Sequence, residues 1–187
     1  MLLSMEHPEA EAGNDELDTF DRLLVLLDEH SADYRVIEHP PEGRTEVVSR
    51  LRGNDIGEAA KCIVLLVKIG KKVTRYVLAV VPGDRRVNFA AVKELFGATY
   101  VGFADTPTAE RLAGSVAGTV LPFVFDPRLE LVVDPDLLAV STLYFNAARL
   151  DRSLALNTAD FKRITHPRVA RLADPPSAES SRSAGAA

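Results

Sequence analysis

From Gly114 to Phe123 the chain reads Gly-Ser-Val-Ala-Gly-Thr-Val-Leu-Pro-Phe, with two glycines, one proline and no ionisable group. Any chemistry in this segment must come from its backbone. Glycine lets the main chain approach a ligand closely, and proline fixes the exit direction. Such a loop can aim N–H groups at a carbonyl oxygen or a ribose, as oxyanion-binding turns do. The same composition also describes a plain turn between a helix and a strand.

Lys61 stands at the mouth of the apolar run Cys62 to Val67. Its stem can lie on hydrophobic surface while the ammonium reaches a pocket. There it could grip a phosphate or favour negative charge on an attacked ester, and the plainer alternative is a solubilising charge at a strand edge. Cys62 follows a lysine that could activate a thiol. Strand alternation turns neighbouring side chains to opposite faces, so a pocket-facing Lys61 places Cys62 in the core as a small hydrophobe. Asn146 can orient water, donate to a carbonyl or read a hydroxyl, or else bond a nearby turn. Ser153 is a second polar candidate for the pocket lining, with Asp151 more suited to holding a hairpin. His39 precedes Pro40-Pro41, where it serves a turn and could border the pocket.

The four histidines have no metal-ligand spacing and Cys62 is the single cysteine, so neither a metal nor a disulfide is expected. No G-x-S-x-G, Walker or dinucleotide pattern is present. No cofactor is expected. No apolar stretch reaches the roughly 20 residues of a membrane-spanning helix, and nothing near Met1 has signal-peptide character, which points to the cytoplasm.

The net charge of −5 looks unfavourable for a nucleic-acid partner until it is divided along the chain. Six of the 27 acidic residues lie within residues 1–18, which hold no Lys or Arg, leaving 21 acids against 22 bases in the remainder. Ten of those bases, from Arg44 through Arg52 and Lys61 to Arg86, crowd residues 44–86. They can form a small phosphate-binding face, suited to a short contact such as a tRNA acceptor end, or a solvated charged surface.

Apolar content of 47% in 187 residues supports one domain. Composition predicts disordered tails over 1–17 and 173–187, around an ordered unit over 18–172. Helical spacing of Phe20, Leu23, Leu24 and Leu27 after Asp18-Thr19 predicts a first helix. A strand over Tyr34–Glu38 and a helix over Thr45–Leu51 follow, then strands over Cys62–Val67 and Val73–Val81 joined through Gly70-Lys71-Lys72. Asn88 and Gly97 bracket a helix ending at Phe96. A strand near Thr99–Phe103 precedes a helix capped at Thr106 before Pro107. Leu129–Val133 is a strand and Asp134-Pro135 opens a helical turn. Leu143–Ala147 and Ser153–Leu156 form a second hairpin, and a capping box over Asn157–Asp160 starts the last helix. Strands and helices interspersed with hairpins indicate a mixed α/β fold.

Three segments resemble the YbaK/ProX family, the free-standing relatives of the editing domain inserted in bacterial prolyl-tRNA synthetases. Gly118-Thr119-Val120-Leu121-Pro122 fits its G-x-x-x-P loop, and Arg52 to Val64 looks like its segment in which a lysine after small residues opens a central strand. Phe145-Asn146-Ala147-Ala148-Arg149-Leu150-Asp151-Arg152-Ser153 is similar to the strand-turn-strand segment of the YeaK-like branch, departing at Ala148, where that segment usually has glycine. The resemblance implies a mixed, partly closed sheet flanked by helices. It also implies an aminoacyl-tRNA deacylase that hydrolyses the ester of mischarged Ser-tRNA or Thr-tRNA. Family alternatives are Cys-tRNA or Ala-tRNA, and a noncatalytic module binding an acceptor end or a synthetase is the rival from another class. Lys61, Gly118 and Asn146 are the implied catalytic residues, and Thr119, Val120, Leu121, Pro122, Phe123, Ala147, Ala148, Ser153 and His39 the implied substrate-binding residues. The partners implied are the acceptor end of an aminoacyl-tRNA and an aminoacyl-tRNA synthetase.

Overall fold

The structure, a computed structural model, describes residues 17–175. Apart from their innermost residues, the tails expected at 1–17 and 173–187 lie outside the described residues. The packed chain continues past 172: the Ala173 N–H donates to Asp134 and the Asp174 N–H to the Arg86 carbonyl.

Local signals account for the helices. Asp18 caps α1 (Thr19–Glu29) by accepting from the Asp21 N–H, and Phe20, Leu23 and Leu27 form its buried stripe. Helix α2 (Thr45–Arg52) ends at the left-handed Gly53. Asn88 caps α3 (Phe89–Phe96), which stops at Gly97. Helix α4 (Thr106–Ala113) is capped by Asp105 rather than Thr106, because the Asp105 carboxylate accepts from the Thr108 N–H and leaves Thr106 as the first helical residue. Asn157 caps α5 (Thr158–Thr165), but the expected capping box is incomplete: the Asp160 carboxylate turns to the Asp33 N–H and to Arg163.

Among the described residues, eight strands form two sheets. The first is antiparallel, with β7 (Arg152–Asn157) between β1 (Tyr34–Glu38) and β6 (Thr142–Arg149). In the second, β2 (Ala60–Ile69) pairs antiparallel with both β3 (Val73–Pro82) and β4 (Tyr100–Phe103), while β3 runs parallel to β5 (Leu129–Val133), and β5 to the two-residue β8 (Arg168–Val169). Strand β8 and a 3-10 turn over Ile56–Glu58 carry no periodic sequence signal and were not expected.

Alternation along β2 and β3 divides the core. Ala60, Val64, Leu78 and Val80 face the first sheet and pack with Leu143, Phe145, Leu154 and Leu156, closed by α1 and by Phe161 of α5. Leu65, Val67, Val77, Ala79 and Val81 face the opposite side, under Val92 of α3 and Leu172. Both faces of these central strands are thus buried, which is why they read as continuous apolar runs. An isolated bridge between Ala59 and Tyr144 brings the start of β2 beside β6. The residues with chemical capacity collect at this junction.

Candidate functional site

A cavity of about 70 Å³ opens at the junction, lined by Gly43, Thr45, Val48, Arg52, Lys61, Cys62, Gly118, Val120, Tyr144 and Asn146 among others. At roughly 10–15 Å³ of such space per water molecule, it has room for several. Five elements build it: the loop before α2, α2 itself, the entry of β2, the loop after α4 and strand β6.

The two loops meet through glycine. Gly118 has φ +85°, and a Cβ added there would sit 3.0 Å from the Gly43 Cα and 3.2 Å from the Gly43 carbonyl oxygen. Only a residue without a side chain allows this contact at this dihedral. On one side Glu42 fixes its own loop, accepting from the Gly43 and Arg44 N–H groups and from the Arg44 guanidinium. The Arg44 hydrogen bonds hold the Glu42 carboxyl down to about 2. On the other side Glu110 accepts from the Ala117 N–H, and the Thr119 hydroxyl and N–H both donate to the Val116 carbonyl. Among the described residues, the Gly118 and Val120 N–H groups have no hydrogen-bond acceptor. Both residues line the cavity.

Asn146 ties the loops together. Its Nδ2 donates to the Glu42 carbonyl at 2.8 Å and to the Gly118 carbonyl at 3.0 Å, and its Oδ1 accepts from the Ser153 hydroxyl at 3.0 Å. With both amide hydrogens engaged it braces the cavity wall, and it has none left to donate to a substrate. Ser153 is fully buried and also meets His39 Nε2 at 2.7 Å and Arg52 Nη1 at 3.2 Å. Neither His39 nor Ser153 lines the cavity, so both stand behind its wall.

Two cations reach the cavity. Arg52 donates to the neutral oxygens of Asn54, Ser49 and Ser153, and its guanidinium lies 6.0 Å from the Tyr144 ring centroid. Burial draws its pKa down to about 10, partly offset by Tyr144, so it remains charged at neutral pH. Lys61 donates from Nζ to the Arg85 carbonyl at 3.2 Å. Among the described residues, neither cation meets a carboxylate within salt-bridge distance. Several other bases of the crowded 44–86 segment are engaged elsewhere. Arg44 pairs with Glu42, Arg75 with Glu130, Arg85 with Asp136, and Lys68 lies over the Tyr100 ring.

Cys62 corrects the simple alternation argument. It packs against the first core cluster, yet it also lines the cavity beside Lys61. Burial pushes its thiol up, and Sγ contacts the Ala60 carbonyl at 3.6 Å, so it stays a protonated, inert group.

Several expected binding residues serve the core instead. Leu121, Pro122 and Phe123 are buried, with Phe123 in edge contact with Phe161. Thr119 and Ala147 are fully buried. Ala148 lies at the irregularity in β6, with φ +59°. Of the expected set, Lys61, Gly118, Val120 and Asn146 line the cavity. Arg52, Gly43, Thr45 and Tyr144 also line it and were not among the expected residues. Arg52 offered a signal, as the last helical residue before a stop glycine, but in sequence it was one base among ten. Among the described residues, no group of three His, Cys, Asp or Glu side chains could hold a metal ion, and no helix is long and apolar enough to cross a membrane.

Comparison with known proteins gives this geometry a family. Residues 39–164 match the model of the aminoacyl-tRNA editing domain. The chain is 38% identical over 152 residues to the multifunctional Ser/Thr-tRNA deacylase ProXp-y of Escherichia coli strain K12, covering 81% of this chain and 90% of that protein. The same figures hold for the protein of that name from Escherichia coli O157:H7. The crystal structure of a hypothetical protein superposes with a TM-score of 0.74 at 24% identity, covering 82% of this chain and 99% of the other. That of a candidate trans-editing enzyme for prolyl-tRNA synthetase gives 0.70 at 21%, covering 84% and 98%. These two likenesses establish the fold, a mixed α/β arrangement of two sheets flanked by helices. With the family model spanning most of the chain and the two relatives aligned over four-fifths of it, the protein belongs to the aminoacyl-tRNA editing domain family.

Proposed function

We propose that this chain is a free-standing aminoacyl-tRNA deacylase, which hydrolyses the ester joining wrongly attached serine or threonine to tRNA. The observation that carries the reading is one cavity lined by Gly118 and Val120, whose main-chain N–H groups have no acceptor among the described residues, and by two cations without carboxylate partners there, Arg52 and Lys61. An ester under attack by water develops negative charge on its carbonyl oxygen. Fixed donors and cations at a partly enclosed site stabilise that charge without reorganising.

In the reaction water adds to the carbonyl carbon, the tetrahedral intermediate forms, and the bond to the ribose oxygen breaks. The water proton passes to that oxygen, assisted by the vicinal ribose hydroxyl, giving the free amino acid and tRNA with an intact terminus. The glycine loop holds the oxyanion. Lys61 anchors the terminal adenosine through its phosphate or ribose, and Arg52 adds positive field across the cavity. The ester is already activated, so orientation and charge stabilisation supply most of the acceleration. Cys62 takes no part, and its protonated thiol leaves water as the nucleophile.

The substrate class follows from the cavity size and from the relatives named as Ser/Thr-tRNA deacylases. A small hydroxylated side chain fits a space bordered by the Thr45 hydroxyl and the Arg52 guanidinium. Asn146 cannot donate to it. A cytoplasmic location and a functional link to a synthetase follow from a role in correcting charged tRNA. Initial rates on matched Ser-, Thr-, Ala-, Cys- and Pro-tRNA test the reading. Faster release of serine and threonine supports it, preference for alanine or cysteine overturns the substrate assignment, and binding without turnover of any ester overturns the enzyme.

A further inference from the structure

We propose that Ser153 is a positioning residue through which the protonation of His39 sets the placement of the Gly118 loop, an inference that rests on the deacylase reading for its catalytic consequence. The basis is a count of hydrogens. A hydroxyl has one hydrogen to donate and two lone pairs to accept with. Ser153 Oγ is fully buried against three groups: His39 Nε2 at 2.7 Å, Arg52 Nη1 at 3.2 Å and Asn146 Oδ1 at 3.0 Å. Arg52 can only donate. Asn146 Oδ1 can only accept, because the carbonyls of Glu42 and Gly118 require the amide nitrogen on their side.

His39 therefore decides the balance. Its Nδ1 faces the Pro40 carbonyl at 2.9 Å and so carries a hydrogen. When the ring is also protonated at Nε2, that N–H donates to Ser153 and the serine hydrogen is committed to Asn146. Every group is then satisfied. When Nε2 loses its proton it becomes an acceptor and competes with Asn146 for one hydroxyl hydrogen. One of the two is left facing a lone pair in a buried site, a costly arrangement for polar groups. Asn146 transmits the change, because the same amide plane holds the Gly118 carbonyl. Deprotonation of His39 thus loosens the brace at the oxyanion loop.

The charged groups on the segments around His39 are Arg52 of α2, Glu38 and Arg152, which pair across β1 and β7, and Glu42, which pairs with Arg44. Asp151 contributes its backbone carbonyl to the His39 N–H. None of these carboxylates reaches the Ser153 hydroxyl within hydrogen-bonding distance, so the serine is the link between ring and loop.

The test is NMR of the full chain across a pH series, with the His39 ring signals followed alongside the amides. In the wild type the Asn146 side-chain amide and the Gly118 backbone amide should shift with the midpoint of the His39 ring. In Ser153→Ala those two signals should cease to follow the ring, and in His39→Gln they should stay constant. On a substrate tRNA, Ser153→Ala should lower kcat by about tenfold with KM little changed. Asn146 and Gly118 signals that ignore the ring in the wild type, or still follow it in Ser153→Ala, overturn the inference. The resonance coupling requires no substrate, so its presence in a protein that releases no amino acid would defeat the deacylase reading and leave the coupling standing.

Discussion

Gly43 and Gly118 face each other backbone to backbone, so close that a Cβ on Gly118 would stand 3.0 Å from the Gly43 Cα. The relation is unequal. A Cβ on Gly43 would meet the flexible Leu150 Cδ2 at 3.2 Å and the Gly118 Cα at 3.4 Å, and φ at Gly43 is not in the left-handed region. Gly118→Ala should therefore cost about 1–3 kcal/mol through the strained dihedral and displace the loop, whereas Gly43→Ala should cost less. Chemical denaturation and deacylation rates check this, and equal effects from the two substitutions would contradict it.

Asn146 separates loss of a brace from reversal of one. Asn146→Ala leaves the Glu42 and Gly118 carbonyls without their shared donor, costing about 1–3 kcal/mol. Asn146→Asp should be worse, because it turns a carboxylate oxygen toward those carbonyls. Denaturant midpoints rank the two, and an Asp variant as stable as wild type would refute the bonding described.

Ala148 holds φ +59° in a turn where the similar family segment has glycine. A non-glycine residue in the left-handed region carries a cost of about 1 kcal/mol. Ala148→Gly should relieve part of it and raise the melting temperature by a few degrees, against the usual loss from added chain entropy. A lower melting temperature would show that the Ala148 methyl contributes packing that outweighs the strain.

Asp136 gives a pH dependence with a defined sign. Hydrogen bonds from Arg171 and Arg85 lower its pKa below the ordinary value of 3.8. Its contribution to stability is thus present above that ordinary value and is lost as pH falls through the lower folded value. Thermal melts of wild type and Asp136→Asn should differ at neutral pH and converge in strong acid. A gap that widens on acidification would contradict the ion-pair assignment.

Local signals carried the fold because most of its elements announce themselves within a few residues. Asn88 and Gly97 bracket α3, the run from Cys62 to Val67 marks a doubly buried strand, and Gly70 with two lysines turns the hairpin. Strand β8 was invisible because two residues paired to β5 have no period of their own. The site was legible in part. Lys61 and Gly118 stand out as a strand-mouth cation and a loop glycine, but the role of Asn146 depends on carbonyls 104 and 28 residues away. Arg52 resembled the surrounding bases until the fold placed it in the cavity lining beside Lys61. Leu121 and Phe123 sit in a loop by sequence and in the core by packing, a distinction that long-range contacts such as that of Phe123 with Phe161 create.

The most direct test of the central claim is the initial rate of serine release from Ser-tRNA by wild type and by Lys61→Ala, with circular dichroism confirming the fold of both. The account predicts turnover by the wild type and a loss of at least about tenfold in the variant, equivalent to about 1.4 kcal/mol of transition-state stabilisation. Equal rates in the two proteins would remove Lys61 from the site, and no release by the wild type above the uncatalysed rate would contradict the deacylase itself.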